Sequence, residues 1–157
     1  MNGRKVTTMA AVLGLGLFAL AAPAEAQSNC QQVKGQQDGV FDEVTNTTTG
    51  EITKGGWLNG TTLDAFHAAV LPTPHPTTVS FTGDFTLATI HGELKTTNVY
   101  IFNFVTGNAA VLGHIDPTTS TGAFAGATGV LYFAGTTISV SPFVVQAEVT
   151  GEICFAP

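Results

Sequence analysis

The sequence predicts an all-β domain of antiparallel strands, and three observations carry that expectation. Thr, Val, Phe and Ile recur in short runs punctuated by Gly, Pro, Asn and Asp, the composition of strands joined by tight turns. Two runs, Val79 to Leu87 and Phe143 to Ile153, alternate apolar and polar residues with the period of two that sends successive side chains to opposite faces of a sheet. Between Thr121 and Gly135, the glycines Gly122, Gly126 and Gly129 stand at spacings of four and three ahead of a β-patterned run. A tight, twisted turn feeding a strand needs such residues, because glycine accepts φ > 0 and admits close neighbours.

Residues 1–26 read as a signal peptide. Arg4 and Lys5 form a positive start, Val6 to Ala22 is apolar, and Ala24-Glu25-Ala26 offers the small residues of a cleavage site, so a mature domain of residues 27–157 begins at Gln27. An uncleaved membrane anchor is the competing reading; the apolar run is at the short end of the roughly 20 residues that span a bilayer. Gln27-Ser28-Asn29 ahead of Cys30 is not the aliphatic and small triplet of a lipoprotein signal. The expected location is secreted or periplasmic.

Beyond residue 26 the chain has three lysines, no arginine and ten carboxylates, a charge of −7 with histidine neutral. Nucleic acid and anionic membranes bind clustered cations, so neither partner is expected of the mature domain. Cys30 and Cys154 lie near its two ends, and in an exported chain they are expected to form a disulfide. A redox or metal pair is the alternative, but C-x-x-C spacing is missing. The length suits one domain with a modest core, and no repeat or dividing linker is present.

In chain order, Thr62 to Leu71 carries the one helical spacing, with Leu63, Phe66, His67 and Val70 at i, i+3, i+4 and i+7 and Pro72 as a stop; the same residues can serve as a strand. Pro72 to Pro76 is a stiff connector that joins a ladder only at an edge. Val79 to Leu87 is a half-buried strand with Val79, Phe81, Phe85 and Leu87 on one face. His91-Gly92 resembles the two-residue turn of a hairpin, which makes His91 a turn residue. Asn98 to Val105 is apolar on both faces, so its second face is expected to meet a helix, a loop or another subunit. In the last strand Phe143, Val145, Ala147, Val149 and Ile153 face inward, and Glu148 and Glu152 face solvent.

Gly122-x-Phe124-x-Gly126-Ala127-Thr128-Gly129, followed by Leu131, Phe133 and Gly135, resembles the signature of small exported bacterial proteins of the allene oxide cyclase-like barrel family, related in shape to the plant dirigent proteins. The Phe85 to Glu93 hairpin and the closing Gly151-Glu152-Ile153 add to the likeness, which spans roughly residues 79–153. The resemblance implies an eight-stranded antiparallel barrel with an apolar lumen, often a homo-oligomer through its outer wall. It carries over no catalytic residue.

Chemical motifs are few. His67, His75, His91 and His114 form neither H-x-H nor H-E-x-x-H spacing, so no metal is expected. No serine lies in a G-x-S-x-G elbow, and the Gly122 to Gly129 glycines precede a β pattern where a dinucleotide loop would precede a helix. No cofactor is expected. His114, close to Asp116, is the one candidate acid or base, against a plain strand-end histidine beside the Asp116-Pro117 turn. Asn46-Thr47-Thr48 and Asn59-Gly60-Thr61 fit the glycosylation acceptor pattern of a eukaryotic host. Three readings follow. In the first, some of Trp57, Phe81, Phe85, Phe102, Phe104 and Tyr132 line a lumen that binds an apolar small molecule, with plain core filling as their alternative role; in the second, the barrel is an isomerase or cyclase whose lumen folds a reactive substrate; in the third, its outer apolar face serves assembly.

Overall fold

A computed structural model describes residues 29–67 and 70–156; the signal-peptide expectation for residues 1–26 lies outside them. Nine strands occur among the described residues: β1 (Asn29–Asp42), β2 (Thr47–Thr53), β3 (Gly60–Phe66), β4 (Leu71–Pro72), β5 (Thr78–Thr89), β6 (Gly92–Asn103), β7 (Asn108–Ile115), β8 (Thr128–Val140) and β9 (Phe143–Phe155). The ladder runs β3-β2-β1-β9-β8-β7-β6-β5, every pairing is antiparallel, and β3 pairs with β5 to close the ring. The result is a closed eight-stranded antiparallel barrel, with β4 as a stub that continues on β5 where β3 leaves off. Closure removes the unpaired edges that an open sheet would expose. Only two single-turn 3₁₀ segments, Gly56–Leu58 and Gly122–Phe124, are helical among the described residues.

Alternation decides what faces the lumen. Along β9, Val149, Gly151 and Ile153 are buried and Glu148 is exposed, as the sequence pattern requires. Along β5, Phe85 and Leu87 are fully buried while Asp84 is exposed. Cys30 sits directly across from Cys154 in the thirteen-pair ladder of β1 and β9, and the two form a disulfide.

One open alternative is decided and one local expectation is corrected. The helical spacing of Thr62 to Leu71 is not used: residues 60–66 form β3, with Thr62 and Asp64 buried and Leu63 43% exposed. Ladders with both β2 and β5 satisfy the backbone of this segment, and no isolated turn of helix competes with two complete ladders. The hairpin turn is Ile90-His91, one residue earlier than His91-Gly92, because Gly92 already pairs with Thr89. Gly92 has φ +133°, and a Cβ there would lie 2.4 Å from the Thr121 carbonyl. Its role is to let the loop that carries Phe124 pack against the hairpin.

On the outer wall of β6, Val99 and Ile101 are 46% and 49% exposed. The outer face of this strand is thus apolar and open to solvent among the described residues, while its inward face carries Thr96, Asn98 and Tyr100 beside Leu94.

Candidate ligand cavity

The lumen is layered. At one end Leu58, Phe85, Leu87, Leu94, Phe124, Leu131, Val149 and Ile153 are fully buried in a single cluster. The two 3₁₀ turns supply the stopper: Phe124 is driven in from the glycine-rich stretch and Leu58 from the segment after β2. Trp57 lies across this end, with ring centroids 5.1 Å from Phe155 and 6.4 Å from Phe124. A packed layer of this kind leaves no room for a ligand.

Above it runs a belt of buried polar side chains. Thr96 donates to Asn98 Oδ1 at 2.5 Å, the Asn98 amide donates to the Tyr100 hydroxyl at 2.9 Å, and that hydroxyl donates to Asp64 Oδ1 at 2.6 Å. The Gln37 amide donates to Asp64 Oδ2 at 3.1 Å. Each member has a partner, as burial demands. Alternation places them: Gln37 on β1, Thr62 and Asp64 on β3, and Thr96, Asn98 and Tyr100 on β6 all point inward.

Beyond the belt lies a cavity of about 330 Å³, within the usual range for small-molecule sites. Phe41, Phe66, Phe81, Tyr100, Phe102 and Phe143 line it, with Val111, Phe133, Val145 and Ala147, and its rim includes Asn46 and His67. The rings interlock. Phe81 stacks on Tyr100 with centroids 5.0 Å apart and planes 6° apart, and Phe66 meets both edge-on at 5.4 and 5.0 Å. Phe41 and Phe143 are 5.7 Å apart, and Phe102 and Phe143 6.3 Å. At the rim, His67 bonds Thr82 at 3.0 Å and Asp84 at 3.2 Å, in solvent.

Asp64 lines the cavity. Burial pushes its carboxyl from 3.8 up to about 6, against the opposing effect of the Tyr100 and Gln37 hydrogen bonds. Burial, with the Asp64 charge next, drives the Tyr100 hydroxyl well above its ordinary value, so the phenol remains a donor at every working pH.

A stability prediction follows from the sign of the Asp64 shift. An acid whose folded pKa is raised binds more protons when folded, so stability falls as pH rises from 3.8 to about 6. The loss is about 3 kcal/mol at most. Asp116, held down to about 2 first by its hydrogen bonds to Thr118, acts in the opposite sense and only at lower pH. Urea denaturation at about pH 4.5 and 7.5 should therefore show wild type losing stability at the higher pH, with Asp64→Asn largely free of that loss. Equal pH responses of the two proteins would refute the shift.

The sequence-predicted residues divide. Phe81 and Phe102 line the cavity. Phe85 is inward but belongs to the packed layer, 5.2 Å from Phe133. Trp57, Phe104 and Tyr132 are corrected: Trp57 covers the stoppered end, Phe104 is 56% exposed in the turn after β6, and Tyr132 is 51% exposed on the outer wall. Tyr132 alternates with buried Leu131 and Phe133, so the period of two turns it outward. His114 is exposed on the outer wall of β7, opposite Thr97 and Val130, and the Asp116 carboxylate accepts from Thr118 and Thr119. Phe41, Phe66, Tyr100, Phe133, Phe143 and Asp64 are among the cavity residues that the sequence candidates omitted. A period of two through Thr62, Asp64 and Phe66 was the available signal. Among the described residues, the one cluster of metal-ligand type joins Glu152 to Cys30 and Cys154, whose sulfurs are committed to the disulfide.

Fold and cavity together define a closed eight-stranded antiparallel barrel, filled at one end and hollow and aromatic at the other. In comparisons with known proteins, no family model, no curated protein and no solved structure matches this chain.

Proposed function

We propose that this is an exported barrel protein that binds an apolar small molecule in the aromatic half of its lumen. The carrying observation is the cavity of about 330 Å³, walled by seven aromatic rings above a packed base. The Cys30–Cys154 disulfide and the signal-like residues 1–26 support export, since such bonds persist in oxidising compartments. Strand number and closure agree with the resemblance to allene oxide cyclase-like barrels, which we retain as part of this reading.

The test uses Nile red, a neutral apolar fluorophore, as the probe. Wild type should bind it saturably, and Phe81→Ala and Phe102→Ala should each weaken binding about tenfold, while the outer-wall Tyr132→Ala should leave it unchanged. Equal binding by all four proteins would locate the probe outside the lumen and overturn the reading.

An isomerase or cyclase is the second reading, favoured by one observation. The Asp64 carboxyl and the Tyr100 hydroxyl, 2.6 Å apart, meet at the cavity wall, a pair able to give and take a proton beside a bound substrate away from bulk water.

A further inference from the structure

Asp64 is the one charged side chain buried inside the barrel among the described residues, and nothing there neutralises it. The groups that face it are uncharged: the Tyr100 hydroxyl from β6, the Gln37 amide from β1, and its ladder partners Thr48 on β2 and Phe85 on β5. The three lysines among the described residues are engaged elsewhere. Lys34 pairs with Glu148, Lys95 with Glu93, and Lys54 bonds Gln36. His67 at the rim is engaged by Thr82 and Asp84 in solvent, and Asp84 adds negative charge. A carboxylate removed from water without a countercharge is costly, and such costs concentrate where function requires them.

Around this acid stand the aromatic walls of the cavity, whose ring faces carry negative quadrupole charge. Carboxylate and ring faces ask for the same thing. A neutral apolar guest leaves Asp64 uncompensated, and a carboxylate guest adds a second negative charge to an apolar space. An ammonium group supplies the missing charge and is attracted by the surrounding faces.

Building on the binding reading above, we propose that the ligand of this lumen is an organic cation, an ammonium on an apolar body, with its charge against Asp64 among Phe66, Phe81 and Tyr100. The ammonium donates to the free lone pairs of the Asp64 oxygens, and the apolar body fills the space toward Phe102 and Phe143. Specificity then lies in the head group, since the walls accept any apolar body of suitable size.

Calorimetric titration with three guests of one body, phenylpropylamine, phenylpropanol and phenylpropionate, tests this on the disulfide-bonded protein. At about pH 7.5 the amine should bind roughly tenfold or more tightly than the alcohol, and the acid weakest of the three. Below about pH 6 the advantage of the amine should shrink as Asp64 takes up a proton. Asp64→Asn should abolish the amine preference, so that amine and alcohol bind alike at about pH 7.5 and at about pH 5. Equal binding of amine and alcohol by a wild type that binds Nile red overturns the cation inference and leaves the apolar-binding reading standing. An amine preference that survives in Asp64→Asn or is independent of pH also overturns it. Failure of every guest and of Nile red overturns both. The guest series and its pH dependence need only wild type, so poor folding of the variant does not shelter the proposal.

Discussion

Reduction of the Cys30–Cys154 disulfide should lower the stability of the barrel by about 5 kcal/mol, measured by urea denaturation with and without reductant. The bond closes a loop of sequence separation 124, nearly all of the described chain. In the folded protein it adds little restraint, because Cys30 and Cys154 are already opposite one another in the continuous β1–β9 ladder. Its effect is on the unfolded chain, whose two ends are held together and which therefore loses conformational freedom that folding no longer has to remove. Against the roughly 5–15 kcal/mol of a typical domain, the loss is a third or more of the total. The reduced barrel should keep its β circular-dichroism spectrum, since the ladders do not depend on the sulfurs. Coincident denaturation curves for the oxidised and reduced proteins would show that the unfolded chain is not the place where the bond acts.

Substitution of Gly129 by valine is expected to rank with that loss, at about 2–6 kcal/mol. Two effects add. Gly129 has φ +135°, where a β-branched residue is strained, and a Cβ built there would stand 2.0 Å from the Glu152 carbonyl oxygen and 3.3 Å from the Ile153 Cα. Both obstacles are backbone of β9, so neither can rotate away. Gly56 is the control: its φ is +58°, but a Cβ meets nothing within 4 Å, so Gly56→Ala should cost only about 1–2 kcal/mol from the dihedral alone. Gly126 falls between them, with φ +71° and only the Ala156 side chain nearby at 3.2 Å. Thermal melts of Gly129→Val, Gly126→Ala and Gly56→Ala should give that order from most to least damaged. A Gly129→Val protein melting within a degree or two of wild type would mean that β8 and β9 separate at this point without cost.

The contrast between the two strands that bear the cavity's polar pair explains what the sequence hides. On β6, Asn98 and Tyr100 face inward while Val99 and Ile101 are half exposed. Hydropathy alone inverts that picture, because apolar residues occupy the wet face and a polar chain the dry one. Across β3 and the residues that follow it, Leu63, Phe66, His67 and Val70 imitate a helix stripe, which hides the inward row of Thr62, Asp64 and Phe66. Asp64 was invisible as a site for that reason: its importance comes from Gln37 and Tyr100, which are distant in sequence and reach it only once β1, β3 and β6 stand around one lumen.

Phe85 and Phe102 make the same point on the apolar side. Both are inward aromatics by pattern, yet one is locked in the packed layer and the other faces the cavity. Strand alternation assigns a face, and it assigns no height along the barrel axis. Height is set by register, which differs by whole residues from one ladder to the next and decides which side chains share a layer. Trp57 and Tyr132 belong to the same class of case, one carried to the stoppered end by a 3₁₀ turn and the other turned outward between Leu131 and Phe133.

By itself, then, the sequence determined the all-β class, the alternating faces of β5 and β9, the glycine-dependent turn before β8 and the pairing of its two cysteines, because each rests on neighbours in the chain or on a choice with one partner. Closure through β3 and β5, the stopper of Phe124 and Leu58, the hollow above it and the lone acid in its wall were decided by tertiary structure. They arise only where eight strands are brought into register at once, and the physical quantities that define them, packing density and dielectric surroundings, are properties of a volume that no single segment of the chain encloses.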